Sequence, residues 1–139
     1  PQYRLVVEKA RIARLWPVMR GIKQAMEVYK MANGVYSTDL DELDLSLPYE
    51  SKKAGANPES AEQLFQYTGT PVGEIWLSDK DYVYYKSGRG YNIDLLELKN
   101  RWAQCYTYEE EGSFGDKVCA SLGGKFVSAE PRRLYCVKF

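Results

Sequence analysis

Histidine is absent from the 139 residues, which removes the commonest general base and the commonest metal ligand. Catalysis would have to rest on carboxylates, Lys, Tyr or Cys. Also missing are a Gly-rich phosphate loop, a Cys-x-x-Cys pair and a nucleophile elbow, so none of the usual catalytic constellations is present. Net charge is lacking too: 19 Lys and Arg balance 19 Asp and Glu, leaving no global field to steer the chain toward nucleic acid or acidic substrates. The apolar stretches fall far short of the roughly 20 residues that a transmembrane helix needs, and low mean hydropathy argues against a membrane-embedded chain. No signal peptide is visible, and the missing initiator Met reads as processing or truncation, so the lack of a targeting or anchoring segment is uninformative. The length fits one domain, residues 1–139, with a single modest core.

What is present begins with a helical pattern. Leu5, Ile12, Met19 and Met26 recur every seven residues, with Leu15, Ile22 and Tyr29 interleaved and Trp16, Val18 and Ala25 widening the stripe. Pro1 suits a first turn, and Asn33-Gly34 supplies a left-handed stop, so the pattern predicts a helix from about Gln2 to Asn33. At ~1.5 Å per residue it is about 50 Å long, more than a domain of this size covers. The half after Pro17 is expected to lie on a sheet, and the first half to project or to meet another chain. Pro17 and Gly21 interrupt the pattern, but the apolar period continues in phase, which predicts a kink, with a helix start at Pro17 as the alternative.

Charge along this helix is lopsided. Arg4, Lys9, Arg11, Arg14, Arg20, Lys23 and Lys30 face only Glu8 and Glu27, while Asp39, Asp41, Glu42, Asp44 and Glu50 follow. Two readings stand: a solvated face, or complementarity between neighbouring copies arranged head to tail. On the second reading Arg4, Glu8, Lys9, Arg11 and Arg14 form a candidate assembly interface.

Residues 34–70 read mostly as loop. "STDLDELDL" resembles a capped turn of helix, with Thr38 or Asp39 as N-cap and Leu40, Leu43 and Leu45 packing inward. Its acids lack the Gly and terminal Glu of an EF-hand loop. "SKKAGANPESAEQ" is polar, turn-rich and expected to be mobile. Further on, "FQYTG", "GEIWLS", "DYVYYKSG", "GYNIDLLEL" and "RWAQCYTY" are short aromatic and β-branched runs, joined at Ser78–Asp81 and Ser87–Gly90 by hairpin-like turns. They predict an antiparallel meander of about four strands, spanning residues 71–108, with one face on the helix. In residues 109–139, Asp116 is a plausible N-cap for a short helix ended by Gly-Gly, and "RLYCVKF" supplies a last strand. The fold class is therefore α+β.

Three cysteines stand at 105, 119 and 136. An odd number means one bridge and a leftover thiol in an exported chain, or no bridge in a cytosolic one. Spacing does not decide the pair, and three Cys without His do not make the usual zinc site. The three Trp, twelve Tyr and four Phe read chiefly as packing residues. Tyr82, Tyr84, Tyr85, Tyr91 and Trp102 are the places to look for other roles.

The stretch "PQYRLVVEKARIA...IKQAMEVYKMANGVYSTDLDELDL" resembles bacterial type IV pilins just after their hydrophobic N-terminal segment. Tyr29, Asn33, Gly34, Tyr36, Leu40 and Leu43 match the family's helix stop, and "CYTYEEEGSFGDKVCASLGG" resembles its Cys–loop–Cys element. The likeness covers roughly the first 45 and last 40 residues and is shared by pilins and pseudopilins. It implies a pilin-like fold whose C-terminal region is stapled by Cys105–Cys119, with Cys119–Cys136 as the rival. It also implies a precursor cleaved by a prepilin peptidase ahead of about 20 apolar residues missing here, and methylation of the mature N-terminus.

The implied function is assembly without catalysis and without a cofactor: a structural subunit of an extracellular type IV pilus, used for adhesion, twitching motility or DNA uptake. Its partners would be copies of itself in a helical filament, the pilus or secretion assembly machinery, and the inner membrane before assembly. A pseudopilin of a type II secretion system is the first alternative, although "SDKDYVYYKSGRGYNID" does not reproduce the calcium loop common in major pseudopilins. An exported ligand- or glycan-binding domain using an aromatic sheet face is an alternative of another class. Nucleic acid as a partner has no feature in its support.

Overall fold

The computed structural model describes residues 2–37, 42, 43, 45, 51–56, 63–67, 73–77 and 81–139. The long helix, α1, runs over Gln2–Asn33 without a break at Pro17. Ala13 and Pro17 are both exposed, so the Ala13 carbonyl that loses its partner there is open to water. Gly34, at φ 81°, closes the helix by donating its N–H to the Lys30 carbonyl at 2.8 Å. Among the described residues no helix is long and apolar enough to cross a membrane.

Eight strands follow among the described residues. β1 (Ser51–Ala56) and β2 (Gln63–Tyr67) form a separate antiparallel pair. β3 (Glu74–Leu77), β4 (Val83–Lys86), β5 (Asn92–Glu97) and β6 (Trp102–Thr107) form the expected meander. After helix α2 (Phe114–Ser121) come β7 (Lys125–Ser128) and β8 (Arg133–Lys138). They extend the same sheet, in the order β3-β4-β5-β6-β8-β7 with every pairing antiparallel.

The expectation of about four strands is thus corrected to six. The C-terminal region completes the sheet because Tyr135 and Val137 of β8 stand opposite Cys105 and Ala103 and continue the buried face. β7 carries no burial alternation, being exposed at Lys125, Phe126 and Val127, so no apolar period announces it. A second correction concerns "SKKAGA", read as mobile loop but found as β1, and "FQY", which pairs with β1 and not with the meander. The proposed caps Thr38 and Asp39, Leu40, and most of the Ser78–Asp81 turn lie outside the described residues, whereas Leu43 is buried as expected.

The core lies between α1 and the sheet. Ile12, Met19, Ile22 and Met26 meet Ile75, Leu77, Val83, Ile93, Leu95, Ala103 and Val137, all nearly inaccessible. Each Ile, Leu, Val and Met in this set contributes about 1.5–3 kcal/mol by leaving water. Cys105 and Cys119 form a disulfide tying β6 to α2, and Cys136 is free. Strand geometry excludes the rival pair: Cys136 stands opposite Gln104, one residue out of step with Cys105, so its side chain leaves the other face of the sheet. The N-cap of α2 is Ser113, not Asp116. The Ser113 hydroxyl accepts the Asp116 N–H at 3.2 Å, while the Asp116 carboxylate accepts the Gly112 N–H at 2.9 Å, Arg133 at 2.8 Å and the Tyr135 hydroxyl at 2.7 Å. These contacts pin α2 to β8.

Candidate functional site

Opposite its core stripe, α1 carries a second stripe that sequence reading did not pick out. Tyr3, Val6, Ala10, Ala13, Pro17, Gln24, Val28 and Met31 are spaced by three, four or seven residues, which puts them on one line of the helix, and all are exposed. Tyr3 is 79% exposed, Val6 64%, Val28 58% and Met31 86%. One formal charge falls on this line: Arg20, three residues after Pro17 and four before Gln24, which is half-buried and carries its guanidinium 5.9 Å from the centre of the Phe139 ring. A helix lying on a monomer normally turns its charges outward; here the others sit on the flanks, at Lys9 and Glu27 to one side and Arg14 to the other. The signal was legible as a second heptad; the stronger core heptad on the same helix masked it.

Toward its C-terminal end this face opens into a groove of about 500 Å³ lined by Gly21, Gln24, Ala25, Val28, Tyr29, Ala32, Asn33, Glu42 and Leu45. Among the described lining residues Glu42 is the one that carries a formal charge. The Ser37 hydroxyl donates to the Glu42 carboxylate at 2.7 Å, and hydrogen bonds from Ser37 and Tyr29 lower its pKa.

The five interface residues anticipated from sequence do not share one surface. Arg4, Lys9 and Arg14 are exposed, with the Arg4 guanidinium 4.2 Å from the centre of the Phe114 ring. Glu8 points the other way and is only 2% exposed. Arg89, on the turn between β4 and β5, donates from Nε to both Glu8 oxygens at 2.8 and 2.9 Å and lies 2.6 Å away through its terminal nitrogen. The Tyr91 hydroxyl donates to Glu8 Oε1, and Arg11 approaches Oε2 at 3.3 Å. Arg89 is itself held by the Ser87 carbonyl and the Tyr85 hydroxyl, both at 2.9 Å. The first half of α1 therefore does not simply project: at Glu8 and Ile12 it is bound to the sheet. The i, i+3 spacing of Glu8 and Arg11 was readable, but a partner 81 residues away was not.

Three further features hold these elements together, the first of them at the far end of β4 from Arg89. Lys23, 3% exposed, donates to Glu27 at 2.6 Å and to the Asp81 carbonyl. Thr107 donates to the Gly90 carbonyl at 2.6 Å. Gly115 sits so close to that same carbonyl that any Cβ would collide with backbone. Of the aromatics singled out from sequence, Tyr85 and Tyr91 are core residues, 1% exposed. Tyr84 and Trp102 stand on the outer sheet face, where burial and the Asp94 charge push the Tyr84 hydroxyl up to about 12 and the Trp102 indole donates to Cys136 Sγ. Among the described residues no group of three or more His, Cys, Asp or Glu is placed to hold a metal ion.

Burial alone would raise the pKa of Glu8, but the hydrogen bonds from Arg89 and Tyr91, with the charges of Arg89 and Arg11, outweigh it and leave it below the ordinary 4.5. A carboxylate lowered on folding contributes stability that is fully present above pH 4.5 and lost as pH falls through its folded value, because the unfolded chain then binds more protons. Asp116 is shifted the same way from 3.8: burial raises it, and the Gly112 N–H, Arg133 and Tyr135 outweigh burial. The urea midpoint should therefore be flat near neutrality and fall steadily below pH 4.5, with a shallower fall in Glu8→Gln. An equal fall in that variant would remove Glu8 as a source of the acid sensitivity.

What the arrangement can do is bind: it offers a helix with one face anchored by the core and a buried ion pair, and the opposite face open and poor in charge. No protein-family model, curated protein or solved structure matches the chain.

Proposed function

We propose that this chain is a structural, non-catalytic subunit of a type IV pilus-like extracellular filament, held at the inner membrane before assembly and at the cell surface after it. The observation that carries this reading is the outward face of α1 from Tyr3 to Met31, which is exposed and carries no formal charge besides the half-buried Arg20. Interface cores are depleted of charge relative to ordinary surface, and a stripe of Ala and Val lets a second helix approach closely. The sequence resemblance adds the same expectation independently: a helix longer than its own sheet requires, continuing into a bundle of copies. The anchoring of α1 at Glu8, Ile12 and Lys23 supports it further, because a filament under load needs each helix fixed to its domain.

The test places a charge in the middle of the stripe. Ala13 is exposed, so Ala13→Glu should change the melting midpoint of the domain by no more than a surface substitution does, within about 0.5 kcal/mol. In the full-length protein the same change buries an unpaired carboxylate between copies, at a cost of several kcal/mol. Surface filaments counted by electron microscopy should be nearly lost. Unaltered filament numbers would overturn the reading, and loss of protein secretion with intact pili would move the chain to the pseudopilins.

A further inference from the structure

The geometry points to a polar, head-to-tail contact in which the first two turns of α1 in one copy, led by Tyr3 and Val6, seat in the groove beside Val28 and Leu45 of the next. This rests on the filament reading above and adds to it the partner, the register and the direction of growth.

Three observations carry it. First, the outward stripe is uneven: it begins with two protruding side chains, Tyr3 and Val6, and ends beside a concavity floored by Gly21, Ala25 and Ala32. Gly21 keeps that floor low, since even a Cβ there would reach ordinary contact with Leu45, at 3.9 Å. The protrusion and the concavity lie on one line of the helix whose one formal charge is the half-buried Arg20, so a copy shifted along the axis brings one onto the other. Secondly, the charges are complementary. The first fourteen residues carry Arg4, Lys9, Arg11 and Arg14 against Glu8 alone, and Glu8 is already held inside the domain by Arg89. Among the described lining residues of the groove the charged one is Glu42. A second basic segment seated there meets a carboxylate and, among those residues, no like charge.

Thirdly, the two parts are different patches of the same chain. A contact between unlike patches is heterologous, and after it forms each pair still offers an open groove at one end and an unseated helix start at the other. The contact cannot satisfy itself in a two-fold dimer, so it propagates. The offset is set by the helix: some 22 residues separate the protrusion from the groove, which at 1.5 Å per residue is about 33 Å of axial displacement between the joined copies.

A photo-crosslinking amino acid at position 6, in an equimolar mixture of unlabelled and ¹⁵N-labelled chain at high concentration, reads the register directly. Mixed-isotope crosslinked peptides should join position 6 to residues 25–32 or 42–45. Val28 is exposed, so Val28→Glu should keep the melting midpoint while cutting that crosslink about tenfold, by setting a carboxylate where an apolar side chain seats. Crosslinks from position 6 to the first two turns of the other copy would mean an isologous pair and would overturn the register, leaving the filament reading standing. No intermolecular crosslink at any concentration would also overturn it. Together with unaltered filaments in Ala13→Glu, that result would sink both.

Discussion

Replacing Glu8 with Ala should lower the unfolding free energy of the domain by about 3–5 kcal/mol, the range for breaking a buried ion pair by removing one partner. The Arg89 side chain, 15% exposed, would lose both carboxylate contacts, and the Tyr91 hydroxyl, in a nearly inaccessible position, would lose its acceptor. Each unsatisfied group then bears its own desolvation cost. At roughly 4 °C per kcal/mol for a chain of this length, the melting midpoint should fall by about 12–20 °C. Glu8→Gln, which keeps one acceptor oxygen, should lose less. By contrast, Lys9→Gln and Arg14→Gln remove exposed charges and should each cost less than about 1 kcal/mol. A Glu8→Ala shift as small as theirs would show that the Arg89 pair is replaced by water without penalty. The contrast matters for function, because it separates the residue that fixes α1 to its own sheet from those left facing outward.

The paired change Cys105→Ala and Cys119→Ala should cost about 2–4 kcal/mol, close to the ~3 kcal/mol that chain-entropy arguments give for a loop of this size. The bridge spans a sequence separation of 14 and ties α2 to the inner face of β6. Without it α2 still keeps its Ser113 cap and the Asp116 contacts to Arg133 and Tyr135, so the domain should fold with a lower urea midpoint instead of failing to fold. Cys136→Ala should move the midpoint by less than the paired change. Non-reducing peptide mapping should recover Cys105 joined to Cys119, with Cys136 free to alkylation. A bridge to Cys136 in the native protein would contradict the strand register, which sets Cys136 on the opposite face of the sheet from Cys105.

Both expectations depend on contacts of very different legibility. The core half of α1 could be read directly, since Ile12, Met19 and Met26 repeat at the helix period and are buried where that period puts them. The meander was equally plain, because all four strands are short aromatic and β-branched runs between turn residues, although only β3 and β4 alternate strictly in burial. β7 was not: three of its four residues are exposed, and only pairing to β8 makes it a strand. The α2 cap was misplaced by three residues because Ser113 and Asp116 are both good capping residues, and the structure uses them together, one at each end of the first turn.

By itself the sequence determined the class, an α+β chain with one long two-faced helix. It also fixed where that helix stops, because Gly34 alone adopts the required positive φ without strain. Local periodicity and backbone sterics are enough for that much. Tertiary structure alone decided that Glu8 belongs to the interior and Lys9 to the surface, that the C-terminal residues finish the sheet, and that Tyr3 to Met31 face outward uncovered. Those outcomes depend on partners far along the chain. A carboxylate at a helical position is free to face water until a guanidinium 81 residues away is folded against it, and no pattern confined to α1 encodes that meeting.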